Sequence, residues 1–250
     1  MNCYGYRRFS LQHGCSAHSG FYKKKNTKRM RYLLPFLTLV FLAGSVIVGI
    51  LYVIARFLSQ INFNPESQAW KKTVEGLRAR LKTQAAGALV PWDGEMLSLL
   101  SLNRSITKKP GFFNSASEGV FTTIFQEPVL SYAEQKSGNT GVLIARTSDR
   151  EFIFRKKGKE IEIWLNGQPF GVLVDGSLLS AGRSPKLLAR LESKSDEVQF
   201  PVLLGDKTVA AIANPLKTDS PNPRALTLLR ALSAEEESAV LALTVFVVVR

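Results

Sequence analysis

Residues 151–176 read EFIFRKKGKEIEIWLNGQPFGVLVDG, and this stretch decides the fold class. Phe152-Ile153-Phe154 meets a basic turn, Arg155-Lys156-Lys157-Gly158-Lys159. From Glu160 to Leu165 the pattern alternates. Ile161, Ile163 and Leu165 fall on one face, and Glu160, Glu162 and Trp164 on the other. A period of two marks a half-buried strand. Asn166-Gly167 is the preferred two-residue hairpin turn, since both positions tolerate positive φ. Residues 169–174 return, and Asp175-Gly176 turns again.

Toward the C-terminus the pattern repeats. Residues 198–204, the Gly205-Asp206 turn and residues 208–213 form a second hairpin, so the domain is an antiparallel meander, a sheet or a closed barrel. A loop follows from Asn214-Pro215 to Pro223. Arg224 to Leu232 reads as a short helix. Ser233-Ala234-Glu235-Glu236 is a capping box, in which Ser233 and Glu236 each bond the other's backbone N–H. Residues 239–249 are apolar except for Thr244. A segment apolar on every side must be buried, and about 11 residues are too few to span a bilayer. The favoured reading is a terminal helix surrounded by the sheet; a buried strand and a membrane-associated tail are the alternatives.

Toward the N-terminus the pattern is harder to read. Residues 142–146 and 120–125 are strands, the second closed by Pro128, and Lys108-Lys109-Pro110-Gly111 is a turn. Glu95 to Asn103 is a short helix or a strand. Val90-Pro91-Trp92-Asp93-Gly94 is the hinge into this domain of residues 93–250. In the juxtamembrane stalk, residues 56–92, Asn64-Pro65-Glu66 starts a helix with Asn64 as its cap, ending near Gly87. Trp70, Val74, Leu77 and Leu81 then repeat at helical spacing, with cations on the other faces. This amphipathic helix can pack on its own domain, lie on a membrane surface or pair with another protein.

Leu33 to Ala55 contains no charged residue. Its 23 residues rise roughly 35 Å as a helix, enough for a hydrocarbon core of about 30 Å. The run is too long for a cleaved leader, and Pro35 falls in the first turn of the expected span. Ser45 and Gly49 form one small-xxx-small pair that would suit a homodimer. Residues 1–32 carry Arg7, Arg8, Lys23, Lys24, Lys25, Lys28, Arg29 and Arg31 and no acid, which is +8 of the chain's net +13. Basic flanks stay on the cytoplasmic side. The expected topology is therefore a disordered basic arm inside, one transmembrane helix over residues 33–55, and the domain outside. The pI near 9.9 is then mainly a topology signal and an attraction to anionic lipid, not a nucleic-acid footprint. Cys3, Cys15, His13 and His18 in the arm match no metal-ligand spacing.

Residues 120–250 resemble the tubby-like fold of tubby, the phospholipid scramblases and the LURP-one-related proteins. The likeness is carried by Gly167-Gln168-Pro169-Phe170-Gly171-Val172, by Phe200-Pro201-Val202-Leu203-Leu204 with residues 209–214, and by Arg224-Ala225-Leu226 leading into residues 239–249. The resemblance implies a closed β-barrel around a hydrophobic C-terminal helix, with lipid-headgroup binding as a family property. Two features depart from the scramblases: the apolar span is N-terminal, and no loop has alternating acidic calcium ligands. Scrambling is therefore not implied.

Residues 56–250 contain no His and no Cys. That removes Ser-His-Asp and Cys-His catalysis, thiol redox chemistry and ordinary zinc sites there. Phosphate-loop and dinucleotide motifs are absent. The candidate ligand site is the basic hairpin Arg155, Lys156, Lys157 and Lys159, as an anionic-headgroup contact; lysine-rich edge strands also serve simply to block edge pairing. Asn103-Arg104-Ser105 is a glycosylation triplet.

The expectation is an α+β protein: an N-terminal transmembrane helix, an amphipathic stalk helix, and an antiparallel β-rich domain with a hydrophobic C-terminal helix. It is expected to be a non-catalytic binding or scaffold module without cofactor. Its expected partners are the bilayer, anionic lipid, and a protein or second copy through the transmembrane and stalk helices. A lipid-headgroup module and a membrane-anchored hydrolase using carboxylates are the alternatives.

Overall fold

The computed structural model describes residues 27–61, 64–84, 89–109, 115–193, 196–218 and 221–249. Cys3, Cys15, His13, His18, the expected end of the amphipathic helix near Gly87 and Pro110-Gly111 lie outside them. The chain divides into two units, Met1–Ile54 and Ala55–Arg250.

Helix α1 (Thr27–Ile61) runs through that boundary. Within it, Pro35–Ile54 is long and apolar enough to cross a membrane, and none of it is buried in the protein. Because the helix begins at Thr27, Pro35 lies in its interior and not in its first turn. The polar residues ahead of the span continue the helix beyond the apolar run. Ser45 donates its hydroxyl to the Leu42 carbonyl (2.8 Å), so its polarity is satisfied within the helix.

The second unit contains α2 (Gln68–Gln84), α3 (Met96–Leu99) and α4 (Ala234–Val249). Its strands are β1 (Leu100–Lys109), β2 (Ser115–Thr123), β3 (Pro128–Ser137), β4 (Thr140–Arg146), β5 (Glu151–Lys157), β6 (Glu160–Leu165), β7 (Gln168–Val174), β8 (Ser177–Ser180), β9 (Leu187–Leu191), β10 (Gln199–Leu204), β11 (Lys207–Ala213) and β12 (Leu226–Leu228). They form one sheet in sequence order, each antiparallel to the next. The first strand returns to the last: Ser101 bridges to Arg224, Leu102 N–H donates to the Pro223 carbonyl and Ala225 N–H to the Leu100 carbonyl. The sheet is thus a nearly closed barrel. The turns that set its register are the expected ones, with positive φ at Asn166 and Gly167 (51° and 80°) and at Asp175 and Gly176 (45° and 82°).

α4 fills the lumen. Residues 238–245 are buried, and they pack with inward side chains from Phe121 on β2 round to Leu226 on β12. A nearly complete ring of strands leaves no edge for a further strand. A helix satisfies its own backbone, so it is the form in which the apolar tail can be buried. The capping box forms as expected: Ser233 N–H donates to Glu236 Oε2 (2.9 Å) and Glu236 N–H approaches Ser233 Oγ (3.4 Å).

Three expected elements are different. Lys108 and Lys109, expected in a turn, end β1 in register with Ser117 and Ala116, because the strand pairing with β2 extends to them. Residues 224–232 are not a helix, because residues 226–228 pair with β11 as β12. Nine residues alone make a marginal helix, whereas here the unpaired edge of β11 is available. Pro128 does not close a strand but opens β3, where its missing N–H costs no ladder bond. β3 escapes sequence reading because residues 129–133 are buried on both faces, which erases the alternation.

Of the three uses open to the amphipathic helix, packing on its own domain is the one seen. Trp70, Val74, Leu77 and Leu81 cover Ala133, Val142, Ile144 and Ile153 on the outer wall of β3–β5. The helix begins at Gln68, capped by Ser67 and not by Asn64: Trp70 N–H donates to Ser67 Oγ (3.1 Å). The segment expected as a hinge is fastened to the barrel. Val90 N–H donates to the Pro128 carbonyl (2.9 Å), Trp92 N–H to Ser148 Oγ (2.7 Å) and Trp92 Nε1 to Glu237 Oε1 (2.7 Å).

Candidate functional site

The four cations of the basic hairpin do not share one surface. β5 alternates, so Phe152, Phe154 and Lys156 face the lumen while Ile153, Arg155 and Lys157 face outward. Arg155 is half-buried under α2, paired with Glu162 on β6. Its guanidinium lies 5.9 Å from the Trp70 ring centroid and 5.6 Å from that of Trp164. There it ties α2 to the wall by an ion pair and two cation–π contacts. Lys157 and Lys159 are exposed around the turn at Gly158, and Lys156 stands inside the mouth of the barrel.

The larger recess is elsewhere. A cleft of about 410 Å³ lies between the last turns of α2, the β4–β5 hairpin and the Asn166-Gly167 turn. Arg78, Lys82, Arg146 and Arg150 line it, with the carboxylates of Asp149 and Glu151. Both acids are occupied. Arg78 Nε donates to both Glu151 oxygens (3.0 and 3.2 Å). Asp149 accepts the Thr147 hydroxyl (2.9 Å) and lies 3.2 Å from Arg150 Nε. Arg150 also reaches Glu237 at 2.8 Å, joining the cleft wall to the first turn of α4. Lys82 and Arg146 have no ion-pair partner among the described residues. The cleft can therefore accept an anionic group, with Asn166 and Ser148 as neutral polar groups on its rim.

These cations come from α2, β4 and the β4–β5 hairpin, so no sequence-local motif announces them. The one available signal is the spacing of Arg78 and Lys82, which puts both on one helical face.

A third polar cluster lies at the last turn of α4. Arg104 of β1 donates to the Val248 carbonyl in the last turn of α4, and its guanidinium lies 5.4 Å from the Phe121 ring centroid and 5.9 Å from that of Tyr132. A cation there satisfies an orphan carbonyl at the negative end of the helix dipole. Burial raises the Tyr132 phenol above its usual range, and the nearby Arg104 charge partly offsets this. The glycosylation triplet overlaps this structure. The Asn103 amide donates to Asn222 Oδ1 (3.0 Å) across the seam where β1 meets the segment before β12.

No family model, curated protein or solved structure matches the chain.

Proposed function

We propose that this chain is a single-pass membrane protein, arm inside and barrel outside, whose barrel works as a non-catalytic binding module. The reading rests on one observation. Pro35–Ile54 is a 20-residue apolar helix with no burial in the protein, while the barrel's lumen is already filled by α4. Exposed apolar surface of that extent needs a covering, and a bilayer matches its length. With the lumen occupied, ligands would be held by surface recesses and not by a central cavity. A barrel around an apolar C-terminal helix is the architecture that the tubby-like resemblance implies, and membership of that family is part of this proposal only.

A tag at the C-terminus tests the topology. In intact cells or spheroplasts, added protease should remove it as readily as an exported control, and alkaline carbonate should leave the chain in the membrane pellet. A protected tag, or release by carbonate, would refute the reading.

A second reading, lipid-headgroup binding, is favoured by the cleft and its surplus cations Lys82 and Arg146. The barrel should then sediment with vesicles containing phosphatidylserine at low salt and release them as salt rises. Lys82→Ala combined with Arg146→Ala should abolish this. Equal binding to neutral vesicles would count against it.

A further inference from the structure

The inward position of Lys156 creates a second, smaller recess. At the end of the barrel that holds the last turns of α4, a pocket of about 130 Å³ opens between the wall and the helix. Leu143, Phe154, Ile161 and Phe246 supply its apolar walls. On the inner face of β5, Lys156 lies two residues nearer the mouth than Phe154, so a charge stands at the rim and apolar surface lies beneath it.

The register leaves that charge without a cross-strand acid. Lys156 is opposite Gly141 on β4 and Ile161 on β6. Gly141 has no side chain to fill the space beside the lysine. The one acid lining the pocket, Glu134, is already engaged by Lys136 Nζ (2.9 Å) and the Ser117 hydroxyl (3.2 Å). An ammonium over an apolar recess is best matched by a ligand with one negative charge and an apolar body. The volume sets the size, since an apolar cavity of about 150 Å³ admits benzene.

We propose that this pocket binds a small apolar carboxylate, its head on the Lys156 ammonium and its body against Leu143, Phe154 and Phe246. A six-carbon aliphatic acid and an aromatic-ring acid both have the required form. This assignment gives a ligand class to the binding reading above. It does not rest on the topology of α1, so a failed protease-accessibility test would leave it standing.

The test uses the full chain in nanodiscs of neutral lipid. Hexanoate and benzoate are titrated by ligand-observed NMR, with hexanamide and benzamide as uncharged counterparts. Both acids should bind saturably and about tenfold or more tighter than their amides. Lys156→Met, which keeps the bulk of the stem, should lose that preference, while Lys156→Arg should keep it. Gly141→Ala adds a methyl group to the pocket lining, 3.7 Å from Lys136 Cγ, and should weaken binding; retained far-UV circular dichroism would verify that the 3.3 Å approach to the Gln135 carbonyl oxygen is absorbed without loss of the fold. Dodecanoate separates two sources of the same chemistry. Competition by dodecanoate that depends on Lys156 points to membrane-derived fatty acid, and its failure beside hexanoate binding points to a soluble acid. Equal affinity for acid and amide, unchanged binding by Lys156→Met, or no saturable binding by the wild type would overturn the proposal.

Discussion

Trp70→Ala should release α2 from the barrel without unfolding the barrel. Trp70 is 7% exposed and lies 6.1 Å from Trp164, ring centroid to ring centroid, with Arg155 beside both rings. It belongs to an outer apolar cluster distinct from the one that buries α4. Deleting a buried tryptophan side chain costs about 3–5 kcal/mol. At about 1.4 kcal/mol per factor of ten, the opening equilibrium of α2 should rise by roughly two to three and a half powers of ten. Hydrogen exchange followed by mass spectrometry reads this directly. Peptides covering residues 68–84 should lose protection by that factor, while those covering residues 234–249 keep theirs. Unchanged protection of α2 would mean that Trp70 does not anchor it. Equal loss in α2 and α4 would mean that the two clusters unfold as one, and either result refutes the reasoning.

Leu243→Ala acts on the other cluster. Leu243 is fully buried in the lumen, so the whole barrel should lose about 2–5 kcal/mol, seen as one cooperative shift in a denaturant titration. Arg104→Met should remove the cation over Phe121 and Tyr132 and the donor to Val248. A charged hydrogen bond of about 1.5–3 kcal/mol predicts a Tm lower by roughly 3–12 °C, and the Tyr132 phenol should ionise at still higher pH in ultraviolet titration. The Glu236 carboxyl is lowered to about 2, chiefly by its hydrogen bonds with Arg230 and also by the Ser233 N–H. Its contribution is therefore complete above the usual carboxylate value near 4.5 and is lost as pH falls toward 2. Glu236→Gln should show a smaller Tm change than the wild type between about pH 5 and pH 2.5.

Local chemistry was legible wherever one face of an element meets water. The alternation of residues 160–165, the Asn166-Gly167 and Asp175-Gly176 turns, the capping box at Ser233 and the stripe from Trp70 to Leu81 can all be read directly. Each depends on neighbours within a few residues. β3 could not be read because α2 covers its outside while α4 and the lumen cover its inside. β12 could not be read because its strand form depends on the edge of β11, distant in the chain at that point only by way of a loop. Lys156 shows the same limit at a single residue. The run Arg155-Lys156-Lys157 looks like one basic patch, but the pleat sends Lys156 inward and Arg155 outward.

By itself the sequence determined an uncharged helix long enough for a bilayer, an antiparallel domain and an apolar tail that had to be buried. These follow from hydrophobic period and turn stereochemistry, which act over short distances. Only the tertiary structure decided that the tail fills a nearly closed barrel, that α2 lies on its wall, and which cations stand over an open recess. Those outcomes depend on which surfaces meet, and the meeting is set by strand register and closure across more than a hundred residues.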